Sequence, residues 1–119
     1  MSSNIKTSSS NAHNRQLLAN AHDVNDILRT ISARWKMEIL CSITLGVNQF
    51  SRLKEKFPSL SDQILGKRLS EMLSEGLVRK EHIAGTVPPQ TIYKHTEKAT
   101  QLIVILKQLH LWGQKKWES

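Results

Sequence analysis

Cysteine and long apolar runs are scarce in this sequence. Cys41 is the single cysteine among 119 residues, and one cysteine cannot form an internal disulfide, which is typical of a reducing compartment. The longest apolar run covers only residues 102–106, which is far too short for a membrane span. The first residues show no apolar stretch of the signal-peptide kind. We therefore expect a cytoplasmic protein without a membrane partner.

The patterns that usually carry catalysis or hold a metal are also missing. The sequence shows no Ser/His/Asp grouping, no glycine-rich phosphate loop and no paired-carboxylate pattern. Its five histidines have no metal-binding spacing, although His82 and His95 lie on two predicted strands that could pair. We therefore predict no enzymatic activity, no cofactor and no metal.

Acidic residues are few relative to basic ones. The chain has 10 Asp and Glu against 17 Lys and Arg, which gives a formal net charge of +7. Such an excess favours a polyanionic partner, either nucleic acid or an anionic membrane surface, without choosing between them. A chain of this length forms one domain that buries roughly 65% of its unfolded surface, so it needs no disulfide or metal for stability.

Composition and capping residues predict the organisation of the chain. Residues 1–20 are rich in Ser and Asn, which indicates a disordered polar tail, and residues 21–119 form the predicted domain. Asp23 is the expected N-cap of a first helix with apolar residues at a 3-4-3 spacing. Further helices are predicted over about 35–45, 49–57, 61–75 and 96–117, and two strands over 77–83 and 90–95.

The fourth helix has the clearest local signals at both ends. Ser61 is the expected N-cap, and Asp62 places negative charge in the first turn, where the helix dipole favours it. Leu60 and Leu65 occupy the two positions of a hydrophobic staple. Gly76 predicts a Schellman ending. This helix is therefore expected to begin and end at defined residues.

The last helix is too apolar for the surface of a monomer. Residues 102–106 cover more than half of its circumference, although one domain face can cover only one stripe. The same helix of a second protomer is the simplest cover for the other stripe. We therefore predict a homodimer whose interface includes Ile103, Leu106, Leu109 and Trp112.

Four further segments stand in order along the chain: residues 33–40 (ARWKMEIL), 48–53 (NQFSRL), 59–78 (SLSDQILGKRLSEMLSEGLV) and 87–97 (VPPQTIYKHTE). Together they resemble the HxlR-type winged helix-turn-helix family of bacterial transcriptional regulators. The resemblance implies a mainly α (α+β) fold: a winged helix-turn-helix with a two-stranded β-hairpin wing and a C-terminal dimerisation helix. Members of this family often carry a sensing cysteine just before the first helix. This chain has Ala21-His22-Asp23 there, which puts thiol sensing in doubt.

The face of the fourth helix opposite its apolar residues is the candidate for reading DNA bases. A recognition helix reads bases mainly with its N-terminal residues, and the predicted base contacts are Gln63, Ile64 and Lys67. The predicted backbone contacts are Ser61, Arg68, Arg52, Lys54, Arg79, Lys80 and Lys94. Arg68 lies nearer the buried edge, so an internal ion pair suits it as well. A solvated amphipathic helix without DNA would have the same pattern.

Gly66 breaks the pattern of the fourth helix, because a glycine inside a helix costs about 1 kcal/mol relative to alanine. Close approach to another helix is the expected reason. Close approach to the DNA backbone is the alternative.

These features predict a sequence-specific DNA-binding transcriptional regulator that acts as a homodimer on a pseudo-palindromic site in double-stranded DNA. Two alternatives stay open: a winged-helix protein-interaction module without DNA binding, and a ligand-gated regulator of a neighbouring winged-helix family. The sequence does not identify an inducer, the operator, or whether transcription is repressed or activated.

Overall fold

The computed structural model describes residues 3–117 as five helices and one β-hairpin. In chain order the elements are α1 (Ser3–Ile31), α2 (Lys36–Thr44), α3 (Phe50–Lys56), α4 (Asp62–Ser74), β1 (Val78–Ile83), β2 (Gln90–His95) and α5 (Glu97–Gln114). The chain divides into two compact units between Arg34 and Trp35. The first unit contains α1, and the second contains the other elements.

Helix α1 begins much earlier than the sequence predicts. It is continuous from Ser3 to Ile31, so the expected N-cap at Asp23 is wrong. No proline or glycine interrupts this segment, and its alanine, leucine and glutamine residues favour helix. The apolar positions also extend back to Leu17, in heptad spacing with Val24 and Ile31. The predicted division into residues 1–20 and 21–119 stays a prediction.

The core of the second unit is formed where α2, α3, α4 and the hairpin meet. Its buried apolar side chains are Ile39, Leu40, Ile43, Leu53, Leu60, Leu65, Leu69, Met72, Leu77, Val78, Tyr93 and Ala99. Helix α4 contributes Leu65, Leu69 and Met72 from one face, as its periodicity predicts. Burial of this apolar surface is the main force that holds α4 in place.

Both ends of α4 agree with the local predictions. The hydroxyl of Ser61 accepts a hydrogen bond from the Ile64 N–H at 3.1 Å. At the other end Gly76 has a φ of 73°, and the Leu77 N–H donates to the Met72 carbonyl at 2.9 Å. This is the hydrogen bond of a Schellman motif. The chain therefore leaves α4 in a fixed direction and enters β1 two residues later.

The two strands form an antiparallel hairpin, the wing. Val78 pairs with His95, and His82 pairs with Thr91, so the two strand histidines do not face each other. The wing is attached to the segment before α3, because the Tyr93 N–H donates to the Asn48 carbonyl at 2.8 Å. Burial raises the pKa of the Tyr93 hydroxyl above its ordinary value of 10.0, so this side chain is neutral at physiological pH.

Helix α5 packs on the core only through its first half. Thr96 is its N-cap, as predicted, with its hydroxyl accepting from the Ala99 N–H at 3.3 Å. Ala99 is buried, and Leu102 and Ile103 pack partly against the core. The helix ends at Gln114, a few residues earlier than predicted. Across residues 3–117, no helix is both long enough and apolar enough to cross a membrane.

Candidate nucleic-acid interface

The outward face of α4 is polar and open to solvent. Gln63, Lys67 and Ser70 are exposed, and Ile64 is 38% exposed beside them. Within the described part of the chain, Gln63 and Lys67 have no hydrogen bond or ion pair with another side chain. Their amide and ammonium groups are therefore available to an external ligand. These are the residues predicted to contact bases, and the structure places them together on one face.

An internal ion pair ties α4 to α2. Lys36, at the start of α2, is 2% exposed, and its Nζ lies 2.8 Å from Glu75 Oε2 and 3.9 Å from Glu71 Oε1. A buried charge of this kind is stable only beside its partners. Sequence reasoning missed Lys36, because its partners are 35 or more residues away along the chain.

Arg68 takes part in the same network. Its Nη1 lies 3.1 Å from Glu71 Oε1, and its side chain is only 14% exposed. Of the two roles considered for Arg68, the structure therefore favours the internal ion pair over a phosphate contact. The carboxylate of Glu71 holds the guanidinium along the side of α4.

Lys54 is also held within the protein. Its Nζ lies 3.3 Å from Asp62 Oδ1 and donates a hydrogen bond to the Leu60 carbonyl. These contacts bridge α3 and the beginning of α4 across the turn, so part of the hydrogen-bonding capacity of Lys54 is already used. Arg52, two residues earlier, is exposed and has no such contact among the described residues. Arg52 is therefore the freer of the two predicted backbone contacts on α3.

The wing carries three of the predicted backbone contacts. Arg79 and Lys94 face each other across the strands, and both lie near Glu81, with Lys94 Nζ 3.0 Å from Glu81 Oε2 and Arg79 Nε 3.6 Å from Oε1. Lys80 lies over the ring of Tyr93, with its Nζ 5.8 Å from the centroid. Arg79 stays 67% exposed and Lys94 47%. Because exposed pairs of this kind are weak, both cations are available to phosphate.

The structure also reveals an open cleft that sequence reasoning missed. It has a volume of about 410 Å³ and is lined by Gln49, Phe50, Ser51, Gln90 and Thr91. Gln49 Nε2 lies 3.5 Å from Gln90 Oε1, so the beginnings of α3 and β2 meet here. Amide and hydroxyl groups are common partners of DNA phosphates. Only the hairpin register brings these distant residues together, and nothing in their local sequence indicates it.

Gly66 has no packing role within the described residues. A Cβ built at this position would meet no atom within 4 Å outside the backbone of its own helix. The expectation that Gly66 allows close approach to another helix of this chain is therefore wrong.

Together, α3, the turn at Pro58, α4 and the wing form a winged helix-turn-helix. Such a fold with an exposed polar face on α4, the second helix of the helix-turn-helix, is typical of a DNA-binding protein. Comparison with known proteins agrees with this class. A family model described as HxlR-like helix-turn-helix matches residues 30–119. The chain belongs to this family of DNA-binding transcriptional regulators, which are not enzymes.

Relatives and solved structures of this class cover most of the chain. An uncharacterized HTH-type transcriptional regulator of Methanothermobacter thermautotrophicus is 35% identical over 83 residues, which are 70% of this chain and 63%, less than two thirds, of that protein. A transcriptional regulator from Enterococcus faecalis, assigned to the MarR family, superimposes with a TM-score of 0.73 at 28% identity, over 79% of this chain and 84% of that one. The reduced form of YodB from Bacillus subtilis gives a TM-score of 0.71 at 24% identity, over 81% of this chain and 93% of that one.

Proposed function

We propose that this protein is a sequence-specific transcriptional regulator that binds promoter DNA as a homodimer. The single observation that carries the proposal is the outward face of α4, where Gln63 and Lys67, in the N-terminal half of the helix, are exposed and have no side-chain partner among the described residues. A glutamine amide can pair with adenine in the major groove, and a lysine can reach guanine or phosphate. Ile64 beside them suits a thymine methyl group.

The predicted backbone contacts surround this face. Arg52 on α3 and Arg79, Lys80 and Lys94 on the wing supply exposed positive charge, and Ser61 lies at the N-terminus of α4, where backbone N–H groups favour a phosphate. Lys54 and Arg68 are secondary candidates, because carboxylates already hold their cationic groups. Between residues 49 and 94 there are 8 basic and 5 acidic residues, so general attraction to DNA is modest and specificity rests on α4.

The homodimer is supported by the exposed apolar side of α5. Leu109 and Trp112, both predicted interface residues, are 49% and 62% exposed, and Val104, Ile105 and Leu111 are more than half exposed beside them. An apolar groove of about 420 Å³ runs along the same helix and includes the other two predicted residues, Ile103 and Leu106. Apolar surface of this extent on a soluble domain marks an interface. A two-fold dimer would present two α4 helices to half-sites about 34 Å apart.

The test begins with mapping the DNA bound by the wild-type protein across its genome and measuring affinity for a recovered site by fluorescence anisotropy. We expect the double variant Gln63→Ala/Lys67→Ala to lose at least tenfold in affinity for this site. The negative slope of log K against log salt concentration should also become shallower by about one unit, because the cationic group of Lys67 is removed.

The matched control is Gln101→Ala/Lys116→Ala, which removes the same two residue types from exposed positions outside α3, α4 and the wing. Its affinity for the recovered DNA site, measured at the same salt concentration, should stay within about twofold of that of the wild-type protein. Equal binding by both double variants would refute the assignment of α4 as the reading helix. A wild-type protein that enriches no DNA site would instead favour the protein-interaction alternative.

A further inference from the structure

Gly66 is the one glycine inside α4, and the backbone there does not require it. Gly46, Gly76 and Gly85 have positive φ angles, whereas Gly66 does not. At a helical φ an alanine is more stable than a glycine, because glycine loses more conformational freedom on folding. Local backbone geometry therefore gives no reason for glycine at position 66.

Packing within the protomer gives no reason either. A Cβ at Gly66 would meet no described atom within 4 Å beyond the backbone of its own helix. An alanine would fit without moving any neighbour. The partner that Gly66 admits therefore lies outside the described chain.

The neighbours of Gly66 indicate what that partner is. At 100° per residue Gly66 lies about 40° from Ser70 and 60° from Gln63 on the helical wheel, and about 60° from the buried Leu69 on its other side, so it stands at the edge of the polar face. This face is polar and carries a free positive charge, whereas the apolar surface suited to a second protomer lies on α5. A polar, cationic face with a gap in its side chains fits nucleic acid rather than an apolar protein surface.

We propose that Gly66 is a close-approach residue of the recognition helix. Without a side chain at this position, the backbone of α4 comes into van der Waals contact with the edge of the DNA major groove. Gln63 and Lys67, which both lie on the polar side of Gly66, then reach base edges that they would otherwise miss. This inference rests on the proposed DNA-reading role of α4, and it assigns specificity to a residue that has no polar group of its own.

Gly66→Ala separates a DNA role from a structural one, because the two predict opposite results. We expect the melting temperature of the free protein to rise by a few degrees, since alanine favours helix. We expect the affinity for the mapped site to fall at least tenfold, and Gly66→Leu to lower it further. Ser74→Ala is the matched control: Ser74 is exposed in the last turn of the same helix, and its replacement should change affinity by less than twofold.

Several results would overturn this proposal. Wild-type affinity in Gly66→Ala would refute it while leaving the proposed function intact, provided that Gln63→Ala/Lys67→Ala still loses binding. A lower melting temperature together with weaker binding would show that Gly66 supports the fold instead. Dissociation of Gly66→Ala into monomers in sedimentation equilibrium would assign the glycine to a protein contact. If the wild-type protein binds no DNA, this proposal fails together with the proposed function.

Discussion

Lys36 and Lys67 carry the same charge but play different parts. Lys67 is exposed on α4, and its position opposite Leu65 and Leu69 could be predicted from the helical period alone. Lys36 is buried. It meets its partners Glu71 and Glu75 only because folding brings the start of α2 against the end of α4. The sequence therefore predicts which basic residues are available to DNA better than it predicts which ones hold the fold.

Replacing Lys36 with methionine tests this buried ion pair. Methionine keeps the length and apolar stem of the side chain but leaves Glu75 without its cation at 2.8 Å. We expect Lys36→Met to lower the free energy of unfolding by about 3 kcal/mol, because breaking a buried pair leaves an uncompensated charge. Urea denaturation followed by circular dichroism measures this change.

Glu81→Gln is the control for that measurement. Glu81 pairs with Arg79 and Lys94 on the exposed wing, so its loss should cost less than about 1 kcal/mol. Comparable destabilisation by the two variants would contradict the special role given to Lys36.

At the scale of elements, short-range signals predicted the second unit well. Ser61, Gly76 and Thr96 mark helix ends where the structure has them, because caps act on backbone groups within a few residues. The wrong prediction was the start of α1, which the sequence placed at Asp23 and the structure has at Ser3. Helix propensity and a sparse apolar stripe extend that helix. Both act over many residues, so neither indicates the residue at which the helix begins.

Gly76→Ala tests the cap at the end of α4. Gly76 has a φ of 73°, a conformation that costs an L-residue about 1–2 kcal/mol, so we expect the free energy of unfolding to fall by about that amount. The same substitution at Gly66 should stabilise the protein. Thermal and urea unfolding of the two variants side by side measures the contrast, and equal effects would contradict this account of the two glycines.

At the scale of the whole molecule, α5 exposes an apolar side that the second unit of the chain does not cover. Placing a charge there should keep the protomer folded, because Leu109 is 49% exposed and contributes nothing to the core. In a dimer the same charge would be buried without a partner, at a high cost.

We therefore expect Leu109→Glu to be monomeric at micromolar concentration in sedimentation equilibrium, with a circular dichroism spectrum like that of wild type. Its DNA affinity should also fall, since one protomer contacts only one half-site. Leu45→Glu, at a position 78% exposed at the end of α2, should remain dimeric. A wild-type protein that is itself monomeric would refute the proposed assembly.

The sequence predicted the part of the candidate site on α4 but missed the part formed between α3 and the wing. Gln63, Ile64 and Lys67 follow from one helical period and one N-cap, which are local quantities. The cleft between Gln49 and Gln90 depends on a hairpin register that the sequence does not specify. The pairing of Arg68 with Glu71 was one of two roles left open; the structure has this ion pair at 3.1 Å, and the phosphate contact stays a prediction.

The sequence by itself determined the class of protein, through the order of its helices and strands, their caps and the four family-like segments. These depend on interactions within a turn or two of the chain, or on a pattern carried along it.

Only the tertiary structure decided which charges are held in ion pairs and which stay free. It also showed that Gly66 faces open space and that the wing meets α3. These outcomes depend on residues tens of positions apart, whose contacts are set by the packing of one core. The scarcity of acidic residues consequently matters less than where the few carboxylates lie: Glu71, Glu75 and Glu81 hold basic side chains, whereas Lys67 has no such partner among the described residues.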